Sequence, residues 1–561
     1  MLFMMISLPT IPPISDAEAT PLVSLLLSIL TQQEVCVKQL QKALEIAQTD
    51  LATLGTQNSF LVAEIKRLKN LPQKPKLTAS KMNSDKGDDS GAGSNSGSGS
   101  GGEPKKVVNK NHKKRSKLSE LVIHETVKIE IDNLPAGAVL NGYEEVVVQD
   151  IIFQPHNIKL LLTRYRLADG SDLVAKRPPG FGSGQFGPQL RALIDMMSYG
   201  ARVPQNRIHD LLTSIGVDIS TGQISNLLTH HRDAFTSEKE AILQEGIKHS
   251  PYIHVDDTQS KHQGKNGYCT VVGNHLFSYF ESTPSKSRLN FLSIINPGPV
   301  HYVIDEHALA YLRKHKLASK YLMALKACRF EDIHDYFDHL ELLGLTSEHH
   351  LELMTEAALI GSCYENGMAL DLKIISDDAG QFRISDFNGL CWVHAERVLK
   401  KLVAQHPQHT VDNQAALEAF WDIYADLKSY KQHPHIVAKE QIQNKFDALT
   451  SLLTTSIELT KALNTLAKNR KKLLLVLDHP EIPIHNNQAE NDIREYVIRR
   501  KISGSTRSDH GRISRDTFVS LKKTCLKLGI RFWDFLIDRH TLKNEIPNLS
   551  LLVKNRALDY T

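Results

Sequence analysis

The stretch IPIHNNQAENDIREYVIRRKISGSTRSDHGR, Ile482–Arg512, sets two asparagines and a glutamate ahead of a run of cations. Pro483 disfavours helix before it, Asn487 is a good N-cap, and Glu490 falls three residues on, as in a capping box. Glu490 also stands one turn before Arg494, a spacing that suits an ion pair on a helix surface. This local account explains where a helix starts. It does not explain why Arg494, Arg499, Arg500, Lys501, Arg507 and Arg512 all follow one acid.

Two other segments carry acids in a comparable setting. SPYIHVDDTQS (Ser250–Ser260) reads as a strand ending in Asp256 and Asp257. NGYCTVV and HLFSYFES follow as a strand pair turned at Gly273-Asn274, which makes a three-strand meander. DLKIISDDAGQF (Asp371–Phe382) repeats the form, a short apolar strand and then Asp377 and Asp378. A rival for the second acid is HYVIDEHALAYL, where Asp305 also ends an apolar run. Neighbours on a strand point to opposite faces, so one acid of each pair is expected to face a shared site.

Two aspartates from adjacent strand ends and a glutamate from a nearby helix make a set of hard oxygen donors suited to Mg²⁺ or Mn²⁺. Two such ions about 3.5–4 Å apart serve in-line phosphoryl transfer. A site lined by carboxylates must still admit a polyanion, and a basic rim supplies that attraction. The cations after Glu490 then have a purpose.

The whole chain is 561 residues with 41% hydrophobic and 23% charged content, ordinary for a globular protein of several units. Its formal charge of +4 is nearly balanced, so affinity for nucleic acid must come from clusters. One cluster is the run Lys105–Lys117. The cysteines are scattered with no CxxC, which argues against a disulfide framework or a zinc ribbon. The N-terminus lacks a basic n-region and is broken by prolines, and no run reaches the roughly 18 apolar residues of a spanning helix. A cytoplasmic protein with no membrane partner is expected.

The expected fold class is α/β, with several parts ahead of the catalytic core. Residues 20–70 carry a heptad through Val37, Leu40, Leu44, Leu51, Leu54, Leu61, Ile65 and Leu68, with Asn58 at an a position. That pattern predicts a self-associating coiled coil, hence a homo-oligomer. A Gly/Ser-rich linker and the basic run occupy 71–117. Residues 118–180 are rich in β-branched side chains and predict a small β unit. Within 185–248, two short amphipathic helices flank SIGVDIS, with Gly216 at the bend and Ser220 or Thr221 as cap. This predicts a helix-turn-helix presenting Gln223, Asn226, His230 and Arg232 to a DNA groove. The core spans 249–540, and 541–561 reads as a C-terminal tail.

The segments HVDDTQ, SDDAGQF, LCWVHAERVLKKL and Ile482–Arg512 together resemble DDE transposases of the insertion sequence 66 type. The resemblance implies a ribonuclease-H-like core with a helical insertion at about 398–473. It implies that Asp256, Asp377 and Glu490 carry two divalent ions, the aspartates bridging them and Glu490 completing one site. Cys391 and His394 resemble the Cys-x-x-His that follows the second aspartate in such enzymes, which favours Asp377 over Asp305. DNA ends and target are the implied partners, with accessory proteins of the same element and a nucleoid location. Family members often carry a cysteine zinc unit ahead of the core, but 118–179 holds no cysteine, so no zinc is expected there. A ribonuclease-H-like nuclease without strand transfer, or an inert DNA-binding oligomer, are the alternatives.

Overall fold

The computed structural model describes residues 140–559 except 183 and 405, with 122–130, 138 and scattered positions from 20 to 42. The described positions between 21 and 42 are helical, and Leu25, Leu26 and Leu30 there are exposed. Positions 43–70 of the expected coiled coil and the linker of 71–117 lie outside the described residues. The chain divides into two compact units, 80–393 with 472–561 and 1–79 with 394–471.

The expected small β unit is corrected to a short hairpin, β1 (Arg164–Arg166) and β2 (Asp172–Val174), among the described residues. Residues 144–163 form no strand, and Val146, Val148, Ile152 and Leu161 stand exposed. β-branched residues favour strands because they fit a half-buried pleated surface, and no such surface covers them here.

In the larger unit, α1 (Pro188–Asp195) is followed by α2 (Gln205–Ser214) and α3 (Thr221–Thr229). The chain bends between α2 and α3 at Gly216, whose φ of +88° lies in the left-handed region that glycine accepts without strain. Ser220 caps α3 as expected, and Gln223 completes the box. The pair turns Ile208, Leu212, Ile224 and Leu228 inward. Next, α4 (Asp233–His249) leads into the sheet.

Strands β3 (Tyr252–His262), β4 (Lys265–Gly273) and β5 (Ser278–Thr283) form the expected antiparallel meander. Gln263 and Gly264, both at positive φ, turn β3 into β4 as a tight two-residue hairpin requires. The expected two-residue turn at Gly273-Asn274 is instead a loop from Asn274 to Phe277, closed by the Asn274 N–H on the Phe277 carbonyl at 3.0 Å. The Asn274 side chain is drawn inward, donating to Ser250 Oγ and accepting the Leu276 N–H, each at 2.8 Å.

A mostly helical excursion follows: α5 (Arg288–Ile295), β6 (Tyr302–Ile304), α6 (Glu306–Lys314), α7 (Ser319–Ala324), β7 (Cys328–Phe330), α8 (Ile333–Leu342) and α9 (Glu348–Glu365). Within it β6 and β7 make their own two-stranded sheet. The chain then returns as β8 (Lys373–Ser376) and β9 (Asn388–Leu390), β8 running parallel to β3 and β9 parallel to β8. The order β5-β4-β3-β8-β9 is a mixed sheet with β3 at its centre.

Helix α10 (Trp392–Lys400) begins in this unit, with Trp392 fully buried and its indole N–H on the Leu473 carbonyl at 2.8 Å. The smaller unit holds α11 (Pro407–Gln432), α12 (Ile436–Thr450) and α13 (Ile457–Lys468), helices within the stretch 398–473. Phe420, Leu427, Phe446 and Leu463 are buried in it. The short α14 (Arg470–Leu473) leads out.

Back in the larger unit come α15 (Asn487–Ser503), α16 (Asp509–Lys527), α17 (Phe532–Thr541) and α18 (Leu549–Leu558). Cys269, Val271 and Phe280 of the sheet pack with Ala489, Ile493 and Tyr496 of α15 and Val519 of α16. The expected tail beyond 541 is corrected: α18 packs on α4 and buries Leu549, Val553 and Ala557, spaced every fourth residue.

Directed bonds set the rotation of α15. Asp492 accepts from Ser278 Oγ at 2.7 Å and pairs with Lys527. Tyr496 OH meets Ser282 Oγ at 2.8 Å and Asp516 at 3.0 Å. Burial alone would raise the Glu495 pKa, but hydrogen-bonded Arg202 and Lys522 hold it at about 2. A carboxylate whose pKa is depressed below the unfolded value of about 4.5 stabilises the fold above that value and loses the effect as pH falls toward 2. Denaturant unfolding should therefore show Glu495→Gln less stable by about 2 kcal/mol at pH 7. The difference should shrink as the titration is repeated down to pH 3.

Candidate active site

Along β3, His254, Asp256, Thr258 and Ser260 share one face by alternation. That face meets α15 and the residue before it: Asn486 Oδ1 lies 2.8 Å from His254 Nδ1, and Tyr496 OH lies 3.4 Å from Ser260 Oγ. Asp256 therefore faces the helix that carries Glu490. Asp257 faces the other way, where Lys286 pairs with it and the Gln381 amide donates to it. The two adjacent acids are sorted by alternation, and Asp256 is the inward one.

Strand β8 pairs with β3 through Tyr252–His254 and ends at Ser376, so Asp377 emerges beside Asp256. The expectation that the first strand ends at Asp256 is corrected, since β3 runs on to His262 through its pairing with β4. Asp377 Oδ1 accepts the Ala379 N–H at 3.1 Å. Asp378 has a φ of +72° and is drawn off by Arg383 at 2.8 Å. The rival Asp305 sits between the two-stranded sheet and α6, where its carboxylate caps the helix through the Ala308 N–H at 2.9 Å. An apolar run ending in an acid describes both positions, but only β8 joins the central sheet.

Glu490 stands in the first turn of α15, where the helix dipole favours an anion. The N-cap is Asn486 rather than Asn487, and its side chain makes no cap bond. The capping-box reading is corrected for that reason. Arg494 bonds Asn491 at 3.2 Å. Cys391 is buried, its Sγ accepting the Asn486 N–H at 3.1 Å and lying within 4.8 Å of a Glu490 carboxylate oxygen. His394 lies one turn further along α10, with Nε2 3.1 Å from Arg397.

The charges act on one another. Burial is the main cause that pushes the Asp256 carboxyl up to about 7, and Asp377, Asp257 and Glu490 push it in the same direction. The Asp257 N–H, which donates to Asp256 Oδ1 at 2.8 Å, works against this. Acids that suppress each other's ionisation form a donor set that a divalent cation would neutralise, so these residues fit a metal of the hard, oxygen-seeking kind. Burial also pushes the neighbouring His254 down to about 3, so its imidazole is neutral.

The nine cationic and polar side chains expected on DNA divide into three groups. Arg232 is buried and holds Asp195 through two bonds of 2.8 and 2.9 Å, with its guanidinium over the Phe518 ring. Arg499 is buried too, donating to the Ser198 and Tyr199 carbonyls at 2.6 and 3.0 Å. Both are corrected to framework residues, because a guanidinium withdrawn from solvent, with its terminal nitrogens bonded inside the protein, has little to offer a phosphate. Gln223 closes its capping box, Arg500 binds the Gln259 carbonyl of β3, and Arg512 donates to the Ser282 carbonyl at 2.8 Å. Asn226, Arg494, Lys501 and Arg507 are exposed.

Residues 183–308 and 385–513 match the family described as Transposase IS66 family. The chain is also 37% identical over 322 residues to an uncharacterized protein, y4jO, of Sinorhizobium fredii, matching 56% of this chain and all of that one. The chain belongs to the IS66 transposase family. The matched residues carry Asp256, Glu490, Cys391 and His394, while Asp377 falls in the gap between the two matched stretches. Among the described residues no helix is long and apolar enough to cross a membrane. Sequence reading missed three residues of this member of the family, Asn486, Lys286 and Gln381. Only the Asn486-Asn487 doublet was a visible signal.

Two outcomes are expected. Arg232→Ala leaves Asp195 buried beside an unfilled space, so chemical unfolding should show a loss of about 3–5 kcal/mol. The same substitution should leave the salt dependence of DNA binding unchanged, whereas Lys501→Ala should lower its slope by about 1. Asp256 titrates near 3.8 unfolded and about 7 folded. Between those values the unfolded chain gives up its proton while the folded one keeps it, so metal-free stability should fall as pH rises through that window. Melting curves from pH 4 to 8 should show Asp256→Asn flattening this fall, and Mn²⁺ offsetting it in the wild type.

Proposed function

We propose that this protein cleaves transposon-end DNA and joins it to target DNA, using divalent metal held by Asp256, Asp377 and Glu490. The observation that carries the reading is geometric: β8 runs parallel to β3 and ends just before Asp377, while α15, with Glu490 in its first turn, packs on the same strand, and both acids push the Asp256 carboxyl upward. Three acids distant in sequence thus act on one another. A structural framework gains nothing from that repulsion. The sheet order, an antiparallel meander followed by two parallel strands on the far side of β3, supports a ribonuclease-H-like core.

Mg²⁺ or Mn²⁺, as a pair of ions, would stabilise charge on the attacking and leaving oxygens of an in-line displacement. In the first reaction water attacks the phosphodiester at an element end, the bond to the 3′ oxygen breaks, and a 3′-hydroxyl is released. In the second, that hydroxyl attacks a target phosphodiester and displaces the target strand's 3′ oxygen. Asp256, Asp377 and Glu490, all half-buried, would hold the metal. Exposed Arg494, Lys501 and Arg507 hold backbone phosphates. The pair α2–α3 serves as a helix-turn-helix, with exposed Asn226 on its second helix. The exposed leucines of the N-terminal helix support pairing of two subunits, so that two DNA ends are handled together. Accessory proteins of the same element are further partners, and the bacterial nucleoid is the expected place of action.

Cleavage and joining on labelled end and target DNA with Mg²⁺ or Mn²⁺ test this directly. Asp256→Asn, Asp377→Asn and Glu490→Gln should each cut at least 100-fold more slowly, a rise of about 2.7 kcal/mol or more in the barrier. Asp305→Asn should retain cutting. Cleaved but never joined products would reduce the protein to a nuclease. Binding without cleavage under all these conditions would sink the enzymatic reading.

A further inference from the structure

Asn486 is 1% exposed, precedes α15, and makes bonds in four directions. Its side-chain amide donates to the Val255 carbonyl at 2.8 Å, and that carbonyl belongs to the peptide whose nitrogen is Asp256's. Its Oδ1 lies 2.8 Å from His254 Nδ1. Its own carbonyl accepts the Glu490 N–H at 3.1 Å. Its own N–H donates to Cys391 Sγ at 3.1 Å. Cys391 in turn donates its N–H to the Ser376 carbonyl at 3.0 Å, and that carbonyl belongs to the peptide that begins Asp377.

From this geometry we propose that Asn486 is the positioning residue of the acidic site, setting the backbones of Asp256, Asp377 and Glu490 relative to one another. The proposal rests on the reading of those three acids as metal ligands. It is not a contact with metal or DNA, because the side chain is spent on β3. Two of the four bonds are side-chain bonds to β3, and they fix the register between the strand that bears Asp256 and the helix that bears Glu490. An amide meets both demands from two separate atoms, its oxygen accepting from an imidazole N–H and its nitrogen donating to a carbonyl. Replacing it leaves the backbone bonds to Glu490 and Cys391 but frees β3 to shift against α15. Ligands displaced by a fraction of an ångström still bind metal, but more weakly. Loss of such supporting bonds commonly costs 10- to 100-fold in metal affinity.

The test uses the full chain and Mn²⁺ alone, with bound ion read by electron paramagnetic resonance and folding by thermal melting. Asn486→Ala should bind Mn²⁺ about tenfold more weakly, in line with that range. Asn486→Asp keeps the oxygen toward His254 but sets a second oxygen against the Val255 carbonyl, and should weaken Mn²⁺ similarly. Ser260→Ala removes another buried polar contact between β3 and α15, and should lower the melting temperature without moving Mn²⁺ affinity. Affinity for DNA measured without metal should be unchanged in all three. Unaltered Mn²⁺ binding in both Asn486 variants overturns the proposal and leaves the proposed function standing. If the wild type binds no Mn²⁺, the function reading fails first. If neither Asn486 variant folds, or if Ser260→Ala weakens Mn²⁺ as much, Asn486 is general framework and the proposal is overturned.

Discussion

The seam between β3 and α15 is the constraint on which the rest of this structure depends. Every second residue of β3 meets the helix, the residue before it or the loop that follows: His254 with Asn486, Thr258 with Arg500, Ser260 with Tyr496, and His262 with Thr506 at 2.8 Å. Asp256 is the one position of that row where acid faces acid. A strand repeats a face every two residues, about 6.4–6.8 Å, so a single helix laid along it can be pinned at several rungs. The bond next to the charged rung, between His254 and Asn486, is the one proposed to position it, and the others pin the strand further along. Half-buried carboxylates set against each other are costly on their own, and surrounding bonds and packing offset that cost.

The same logic explains why two long excursions leave the sheet intact. The excursion of 284–372 departs after β5 and returns at β8, and that of 394–471 departs after β9 and returns before α15. Both leave and rejoin at strand or helix ends, where closing a long loop adds little cost beyond a short one. The sheet therefore keeps the order that brings Asp377 beside Asp256. On the outer side of α15, buried Asp492 and Glu495 bind cations of neighbouring segments and prevent the helix from rolling.

Cations made the larger difficulty in reading the chain. A run of Arg and Lys looks uniformly basic in sequence, yet helix geometry divides it. On α15 the buried residues Ala489, Asp492, Ile493, Tyr496 and Arg499 follow a three-to-four spacing, with Glu495 buried beside them. Arg499 falls on that stripe while Arg494 and Lys501 fall off it. The division was legible in the spacing, had the stripe been followed to its end. Arg232 carried no comparable signal, since its partner Asp195 lies on a separate helix.

Sequence alone determined the things that depend on near neighbours. Alternation marked β3 and β4, Ser220 marked the start of α3, Gly216 marked its preceding bend, and each paired aspartate offered one inward acid. It also determined the family, because IPIHNNQAENDIREYVIRRKISGSTRSDHGR is specific by itself. Tertiary structure decided which aspartate lies beside Asp256, because Asp305 and Asp377 have the same local pattern and differ only in which sheet their strand joins. It decided that Asn486, not Asn487, is the asparagine that matters at the helix start, since its partners lie on a strand over two hundred residues away. It decided that 144–163 would form no strand, because β-branched residues need a surface to pair with and the sequence cannot supply one from within. Local pattern chooses the element, but burial and charge are properties of what the element meets.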